Sequence, residues 1–273
     1  MEVESGEVRL EEITFTVLDV ETTGLTPQFG DRVCEIALLR FRGARELGRF
    51  HSLVNPQRPI SPGAFAVNGI RDQDVVDAPI FAEIAPAVLD LLEDSTLVAH
   101  NAPFDLAFLE AEFQICDLSL VIDSIVDTLA LARRCYRFPS NSLGNVAHFL
   151  GMNVRGQHRA MVDVLTTKMI LERFVADLGQ KGVVTLAELF AAQGGHVGWH
   201  EREAIPLPTQ IEEALKSGGS LQLRYLSAVG EETRRMVTPL RVTAYAGNTY
   251  LVAMCHLRDE ERTFRLDRIV EMG

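Results

Sequence analysis

A chain of 273 residues with 47% hydrophobic residues is long enough to bury a sizeable core and to form more than one domain. Its net charge of −12 argues against tight, nonspecific binding of duplex nucleic acid through a broad basic surface. No apolar run approaches the length of a membrane span and the first residues do not resemble a signal peptide, so we expect a cytoplasmic protein without a membrane partner. The four cysteines are scattered without a C-x-x-C pair, which indicates neither a zinc site nor a disulfide framework.

The first predicted strand runs from Ile13 to Leu18, because this stretch is rich in β-branched and aromatic residues, and Gly24 marks where it stops. Asp19 and Glu21 lie at its end. Since alternate side chains of a strand share a face, the two carboxylates converge and repel each other, and a divalent cation would relieve that repulsion. Taken alone, the pair also fits a solvated strand edge that leads into a turn.

The elements that follow alternate between strands and helices. Strands are predicted at 33–41, 48–54, 97–99 and 122–128, and helices at 80–92, from 101 onwards, 129–134, 143–150 and 159–177. Asn101 is placed as the N-cap of its helix. This order predicts an α/β domain on a mixed sheet, with domain bounds of 1–180.

The composition changes after this region. Residues 181–210 are interpreted as a helix and a linker, because 191–210 is rich in glycine and proline and shows little periodicity. Residues 211–273 are predicted to form a small β domain, with a short helix at 211–216 and strands at 221–225, 237–243, 249–255 and 262–269. The acidity belongs to the first part: residues 1–180 contain 15 basic and 26 acidic residues, and the remaining residues contain 11 and 12.

Four acids and one histidine form the candidate catalytic set: Asp19, Glu21, Asp105, Asp163 and His158. Oxygen ligands without a cysteine partner suit Mg²⁺ or Mn²⁺ rather than zinc. Two such ions about 4 Å apart can activate a water and stabilise an in-line phosphoryl displacement, so phosphodiester hydrolysis fits these residues. The histidine, on a loop preceded by glycine, has a pKa range suited to taking the proton from that water.

Three motifs in order resemble the DEDDh class of DnaQ-like 3′–5′ exonucleases, over about residues 12–178. They are D-x-E-T-T-G-L from Asp19, the stretch 98–105 that ends at Asp105, and His158-x4-Asp163. The resemblance implies a ribonuclease-H-like fold in which the four acids hold two metal ions and His158 is the general base. It also implies that Thr22, Gly24 and Leu25 touch the 3′-terminal nucleotide. By the same resemblance, His100 and Asn101 line the substrate-binding site.

Single residues of this set also have simpler interpretations. Asp163 alone fits a solvated helix face, and His158 alone fits a surface loop; the ordered set of motifs reverses that preference. One position departs from the family pattern, because Asn68-Gly69-Ile70 stands where His-Gly-Ile is common.

The tail from 211 to 272 resembles a WYL domain, with Thr249 in place of the name-giving tryptophan. Such domains are similar to small Sm-like β-barrels and are associated with nucleic acids or other anionic ligands. Residues 221–270 contain eight arginines and six acids, and arginine is well shaped for phosphate contact. The candidate ligand residues are Arg224, Arg262, Arg265 and Arg268. On one continuous strand Arg262 and Arg268 would share a face, and the alternative is that the arginines pair with nearby acids on a solvated surface.

Two functions from different classes follow. The first is a metal-dependent 3′–5′ exonuclease that acts on single-stranded DNA or RNA ends, with a DNA polymerase or repair partner. The second is a ligand-sensing or nucleic-acid-binding regulatory protein in which the nuclease fold is mainly a scaffold. An intact acid set favours the first, because a retired site would be expected to have lost a ligand.

Overall fold

The structure, a computed structural model, describes residues 8–118, 122, 124–154, 156, 158–197, 207–226, 232–245 and 248–273. These residues fall into two compact units. The first takes residues up to 200 except Leu25–Asp31, and the second takes Leu25–Asp31 together with the residues from 201 onwards. In the described part of the chain, no helix is long and apolar enough to cross a membrane.

The first unit contains a five-stranded mixed sheet. Its strands are β1 (Thr14–Thr22), β2 (Val33–Arg42), β3 (Arg45–Leu53), β4 (Thr96–Ala99) and β5 (Ile125–Asp127), in the order β3-β2-β1-β4-β5. β1, β2 and β3 pair antiparallel, whereas β4 is parallel to both β1 and β5. The predicted α/β class and mixed sheet are therefore confirmed. The strand expected at 122–128 is shorter than predicted, and residue 123 lies outside the described residues.

Helices cover both faces of this sheet. They are α1 (Pro62–Asn68), α2 (Asp72–Val75), α3 (Phe81–Leu92), α4 (Ala102–Ile115), α5 (Thr128–Cys135), α6 (Leu143–Phe149), α7 (Ala160–Gly179) and α8 (Leu186–Gln193). Successive residues of β1 enter different cores: Val17 packs with Ile170 of α7, and Leu18 packs with Phe81 of α3 and Phe108 of α4. The polar end of β1 therefore lies between the two hydrophobic cores, one on each face of the sheet.

α8 extends the first unit beyond residue 180. Thr185 and Glu188 form a capping box that starts the helix, and its apolar residues join the core of α7. Gln193 completes the open edge of β5: its Oε1 accepts from the backbone N–H of Asp127 at 2.9 Å, and its Nε2 donates to the carbonyl of Ile125 at 2.9 Å. The start of the segment interpreted as linker, residues 191–193, is thus helical, and residues 198–206 lie outside the described part.

From residue 207 onwards, the described part of the second unit forms an antiparallel sheet and an α-helix. Its elements are α9 (Thr209–Ser217), β6 (Leu221–Leu226), β7 (Glu232–Tyr245), β8 (Asn248–Cys255), β9 (Glu260–Arg265) and β10 (Ile269–Met272), with strand order β10-β6-β7-β8-β9. Tyr225 of β6 accepts a hydrogen bond from the backbone N–H of Arg265 in β9 at 3.3 Å. Because two strands separate β6 from β9, this contact shows that the sheet curls, as expected for a small barrel-like domain.

The last predicted strand, 262–269, is broken. A 3-10 turn at Leu266–Arg268 separates β9 from β10, and Arg265 is paired there with Asp267 at 2.5 Å. The prediction that Arg262 and Arg268 share a strand face was wrong, because Arg268 lies in the turn. β7 is longer than predicted and contains a bulge between Pro239 and Arg241, where proline cannot donate to the ladder.

Candidate active site

β1 carries two of the acids at its carboxyl end. Asp19 pairs with Ala37 of β2, Glu21 pairs with Glu35, and the register shifts directly after Glu21. The two acids alternate with the apolar residues that enter the core of α3 and α4, so both face the α7 side of the sheet, as predicted from their spacing. Pairing continues past this shift, because Thr22 pairs with Val33 and the backbone N–H of Thr23 donates to the carbonyl of Arg32 at 2.9 Å.

Asp105 reaches the same strand end from the first turn of α4. Its side chain is buried, and its Oδ1 accepts a hydrogen bond from the backbone N–H of Val20 at 3.1 Å. Asn101, just before the helix, has a φ of 79° and donates its backbone N–H to Asp127 Oδ1 at 3.0 Å. Asn101 therefore occupies the predicted N-cap position, but its side chain forms no capping hydrogen bond with the described residues.

Asp163 and His158 approach from α7 and the loop before it. Asp163 Oδ2 accepts the backbone N–H of His158 at 2.9 Å, whereas Asp163 Oδ1 is buried without a hydrogen-bond partner among the described residues. His158 has a φ of 63° and is exposed. One potential ligand atom from each of Glu21, His158 and Asp163 lies within 4.8 Å of the other two. This trio is a candidate cation site.

Burial is the largest cause that raises the pKa of all four acids, and neighbouring carboxylates add to the effect. Burial and then the charge of Asp163 raise the pKa of Glu21 to about 8. Burial likewise raises the pKa of Asp105 to about 8, against hydrogen bonds that lower it. The pKa of Asp19 lies well above its ordinary value through burial and then the charges of Asp105 and Glu21, and burial also raises the pKa of Asp163. A bound cation would favour the ionised forms of these acids.

The turn after β1 contains the predicted nucleotide contacts. Thr22 Oγ1 donates to the carbonyl of Gly24 at 2.5 Å, and Leu25 is 59% exposed. Asn68, at the position where histidine is common, donates from Nδ2 to the carbonyl of Thr22 at 3.3 Å. The asparagine thus holds the end of β1, and the nucleotide contacts stay predictions.

His100 uses both ring nitrogens within the protein. Its Nε2 donates to the carbonyl of Asn141 at 2.8 Å, and its Nδ1 lies 2.9 Å from Thr128 Oγ1. Burial lowers the pKa of His100, which favours the neutral ring, and the Thr128 hydroxyl also donates to the carbonyl of Ala99 at 3.1 Å. His100 therefore ties the loop at Asn141 to the end of β4, and its expected contact with substrate stays a prediction.

Sequence reasoning missed Glu35 and Arg159. Glu35 is fully buried in β2 and accepts hydrogen bonds from the Arg159 side chain and from the backbone N–H of Ala160. An acid inside the apolar run of β2 was the available signal, because such a residue needs a charged or hydrogen-bonding partner. The partner lies 124 positions away, so no local pattern identifies it.

The candidate tail arginines lie mostly beside acids. Arg224 pairs with Glu232 at 3.1 Å and with Glu271 at 2.9 Å, and Arg262 lies 3.4 Å from Glu260. Arg265 pairs with Asp267 in the turn after β9. These contacts match the alternative of a solvated, paired surface, and ligand binding by the four arginines stays a prediction.

A mixed sheet with four acids from one strand and two helices at one end is the arrangement of the DnaQ-like, ribonuclease-H-like exonuclease fold. The chain belongs to the RNase_T exonuclease family, whose model matches residues 16–171. Residues 206–272 match the WYL domain. Both resemblances expected from the sequence are confirmed.

Individual relatives agree with this assignment. The chain is 34% identical over 196 residues to a DNA polymerase III subunit epsilon-like protein of Rhodobacter capsulatus, covering 70% of this chain and 28% of that protein. A solved structure of exonuclease X in complex with 5′ overhanging duplex DNA superimposes with a TM-score of 0.53 and 26% identity, covering 66% of this chain and 99% of the other.

The nuclease domain of 3′hExo, a DEDDh family member bound to rAMP, shares the fold at a TM-score of 0.54 and 18% identity, covering 62% and 95% of the two chains. The chain spans less than a third of the length of the curated relatives that it matches. The fold of this class implies divalent metal ions.

Proposed function

We propose that this chain is a metal-dependent 3′–5′ exonuclease that removes nucleotides from single-stranded ends. The observation that carries the proposal is the buried, unpartnered Oδ1 of Asp163, set in a trio with Glu21 and His158 within 4.8 Å, among the residues that the structure describes. A buried carboxylate oxygen without a donor is costly unless a cation or water satisfies it. Asp19 and Glu21, whose pKa values are raised, are likewise costly to ionise unless a cation lies next to them.

The donor set fits Mg²⁺ or Mn²⁺. Asp19, Glu21, Asp105 and Asp163 offer carboxylate oxygens, the ligands these hard cations prefer, and no cysteine lies in the described trio. The four acids would hold two such ions. When bound, the ions activate a water and stabilise the attacking and leaving oxygens of the phosphodiester.

His158 is proposed as the general base. Its ring is exposed beside Glu21 and Asp163, while its backbone N–H is fixed by Asp163 Oδ2. A ring nitrogen in this place can take a proton from a water next to the acids and pass it to solvent.

We propose that the turn after β1 and the start of α4 receive the terminal nucleotide. Thr22, Gly24 and Leu25 lie directly after the acids, and His100 and Asn101 precede α4. Both DNA and RNA ends are candidate substrates, because the related structures were solved with DNA and with rAMP. The polymerase III epsilon-like relative supports a DNA polymerase or repair partner.

The WYL match favours a second candidate function, in which the tail senses a nucleic acid or another anionic ligand and the nuclease fold is a scaffold. Retention of all four acids opposes a purely structural role. In our proposal the tail instead holds single-stranded nucleic acid for the catalytic domain.

The metal requirement can be tested with Asp163→Asn and Asp19→Ala. Each removes an oxygen ligand, so we expect loss of hydrolysis and weaker Mn²⁺ binding, measured by calorimetry, with an unchanged circular dichroism spectrum. Leu257→Ala, at an exposed residue of the second unit, is the control. Near-wild-type, metal-dependent activity in either acid variant would refute the proposed site.

A further inference from the structure

Glu35 is a fully buried carboxylate that holds the start of α7 against β2. It accepts hydrogen bonds from Arg159 Nε at 3.1 and 3.2 Å, from Arg159 Nη2 at 2.9 Å and from the backbone N–H of Ala160 at 3.1 Å. His51 Nε2 lies 2.7 Å from its Oε1. One carboxylate thus joins two strands to the first turn of a helix.

These bonds fix the segment that carries the proposed base. His158 directly precedes Arg159 and has a φ of 63°, a conformation that a non-glycine residue keeps when its surroundings hold it there. Its N–H in turn fixes Asp163 Oδ2. Because Glu35 is also the cross-strand partner of Glu21, it links the acid on β1 with the acid and the base near α7.

We propose that Glu35 and Arg159 are positioning residues that set the spacing between Glu21 and the His158–Asp163 pair, and with it the affinity for divalent ions. This inference rests on the proposed function. A buried ion pair is a weak stabilising device, because the cost of desolvation offsets the attraction. Groups that orient metal ligands, in contrast, commonly change metal affinity or activity by about 10- to 100-fold.

Arginine suits this position for a geometric reason. Its planar fork reaches Glu35 through Nε and Nη2 together, which fixes the direction of the side chain as well as its distance. Lysine would keep the positive charge, but it lacks the planar fork, so the direction of its side chain towards Glu35 would not be fixed. The side chain of Arg159 is 49% exposed, so its replacement by lysine leaves no cavity in the core.

A second buried ion pair provides a matched control. Glu112 is also buried, and it accepts from Arg32 Nε at 2.8 Å, from Arg32 Nη2 at 2.7 Å and from the backbone N–H of Val33 at 2.9 Å. It makes the same kinds of bonds as Glu35 but joins α4 to the start of β2. Glu112→Gln therefore reproduces the loss of a buried charge without touching α7.

The experiment compares wild type, Glu35→Gln, Arg159→Lys and Glu112→Gln as full-length chains. Mn²⁺ binding is measured by electron paramagnetic resonance without nucleic acid, and kcat and KM are measured on a DNA oligonucleotide. We expect Glu35→Gln and Arg159→Lys to weaken Mn²⁺ binding by about 10- to 100-fold and to lower kcat more than they change KM. Glu112→Gln should lose stability in urea but keep wild-type Mn²⁺ affinity.

Hydrogen exchange gives a readout that does not need the metal. In EDTA, the His158 amide should exchange faster in Arg159→Lys than in wild type or Glu112→Gln, because its hydrogen bond to Asp163 is no longer held. Unchanged Mn²⁺ affinity in Arg159→Lys, or an equal loss in Glu112→Gln, would overturn the positioning role alone. A wild type that binds no Mn²⁺ would overturn the proposed function and this inference with it.

Discussion

Replacing Glu21 with glutamine should stabilise the metal-free protein at alkaline pH while it abolishes hydrolysis. Glu21 is 8% exposed and its pKa is raised from 4.5 to about 8, so its ionised form is disfavoured in the folded state. At about 1.36 kcal/mol per pKa unit, this difference corresponds to about 5 kcal/mol. A neutral glutamine of nearly the same shape avoids that cost.

The pH dependence follows from the direction of the pKa change. Because the folded-state pKa lies above the unfolded value, the folded protein binds more protons between about pH 4.5 and about pH 8, and its stability falls as the pH rises through that window. At about pH 5 both proteins carry a mostly neutral side chain in the folded state and should be nearly equally stable. At about pH 9 we expect Glu21→Gln to be more stable by about 2–5 kcal/mol, the lower value applying where water screens the charge.

Urea unfolding in EDTA at about pH 5 and about pH 9 measures this difference, with the exposed Glu213→Gln as control. Mg²⁺ at about 100 times its Kd should then stabilise wild type by about 2.7 kcal/mol and the variant by much less. Equal stability of Glu21→Gln and wild type in EDTA at the alkaline pH, or the same gain at the acidic pH, would refute the electrostatic reasoning.

Three further predictions concern the base, one acid and the tail. His158→Ala should lower kcat by about 10²- to 10⁴-fold and remove the limb of the pH–rate profile due to the base, while an unchanged rate and profile would exclude His158 from the reaction. Asp105→Asn keeps an acceptor for the Val20 N–H and removes a carboxylate whose pKa burial raises to about 8, so in EDTA it should be at least as stable as wild type while hydrolysis is lost; retained hydrolysis would contradict its role as a ligand. A chain that ends near Pro208 should still cut, but with weaker affinity for long single strands and a shallower salt dependence of binding; an unchanged salt slope would assign the tail to another ligand or a protein partner.

Local patterns predicted much of the fold and the candidate acids. The alternation around Asp19 and Glu21 placed both acids on one face because a strand has a period of two, and the apolar spacing of α7 placed Asp163 within that helix. The class of the second unit also followed from its short apolar runs. Such features depend on neighbours along the chain, which a sequence displays directly.

Features that depend on distant partners were not predicted. Glu35 finds Arg159 across 124 positions, and Gln193 satisfies the backbone of β5 from a segment rich in glycine. The turn that displaces Arg268 from its strand was not predicted either, and it contains the side-chain pair between Arg265 and Asp267. These contacts are made by polar side chains, and the hydrophobic period of the local sequence does not indicate them.

Degradation of DNA and RNA oligonucleotides labelled at the 5′ end tests the central claim most directly. The labelled strands are incubated with the protein in Mg²⁺, Mn²⁺ or EDTA and resolved by length. We expect a ladder of 5′-labelled products that shortens one nucleotide at a time from the 3′ end, in either metal and not in EDTA. Immediate release of a labelled mononucleotide, or cleavage that persists in EDTA, would contradict a metal-dependent 3′–5′ exonuclease.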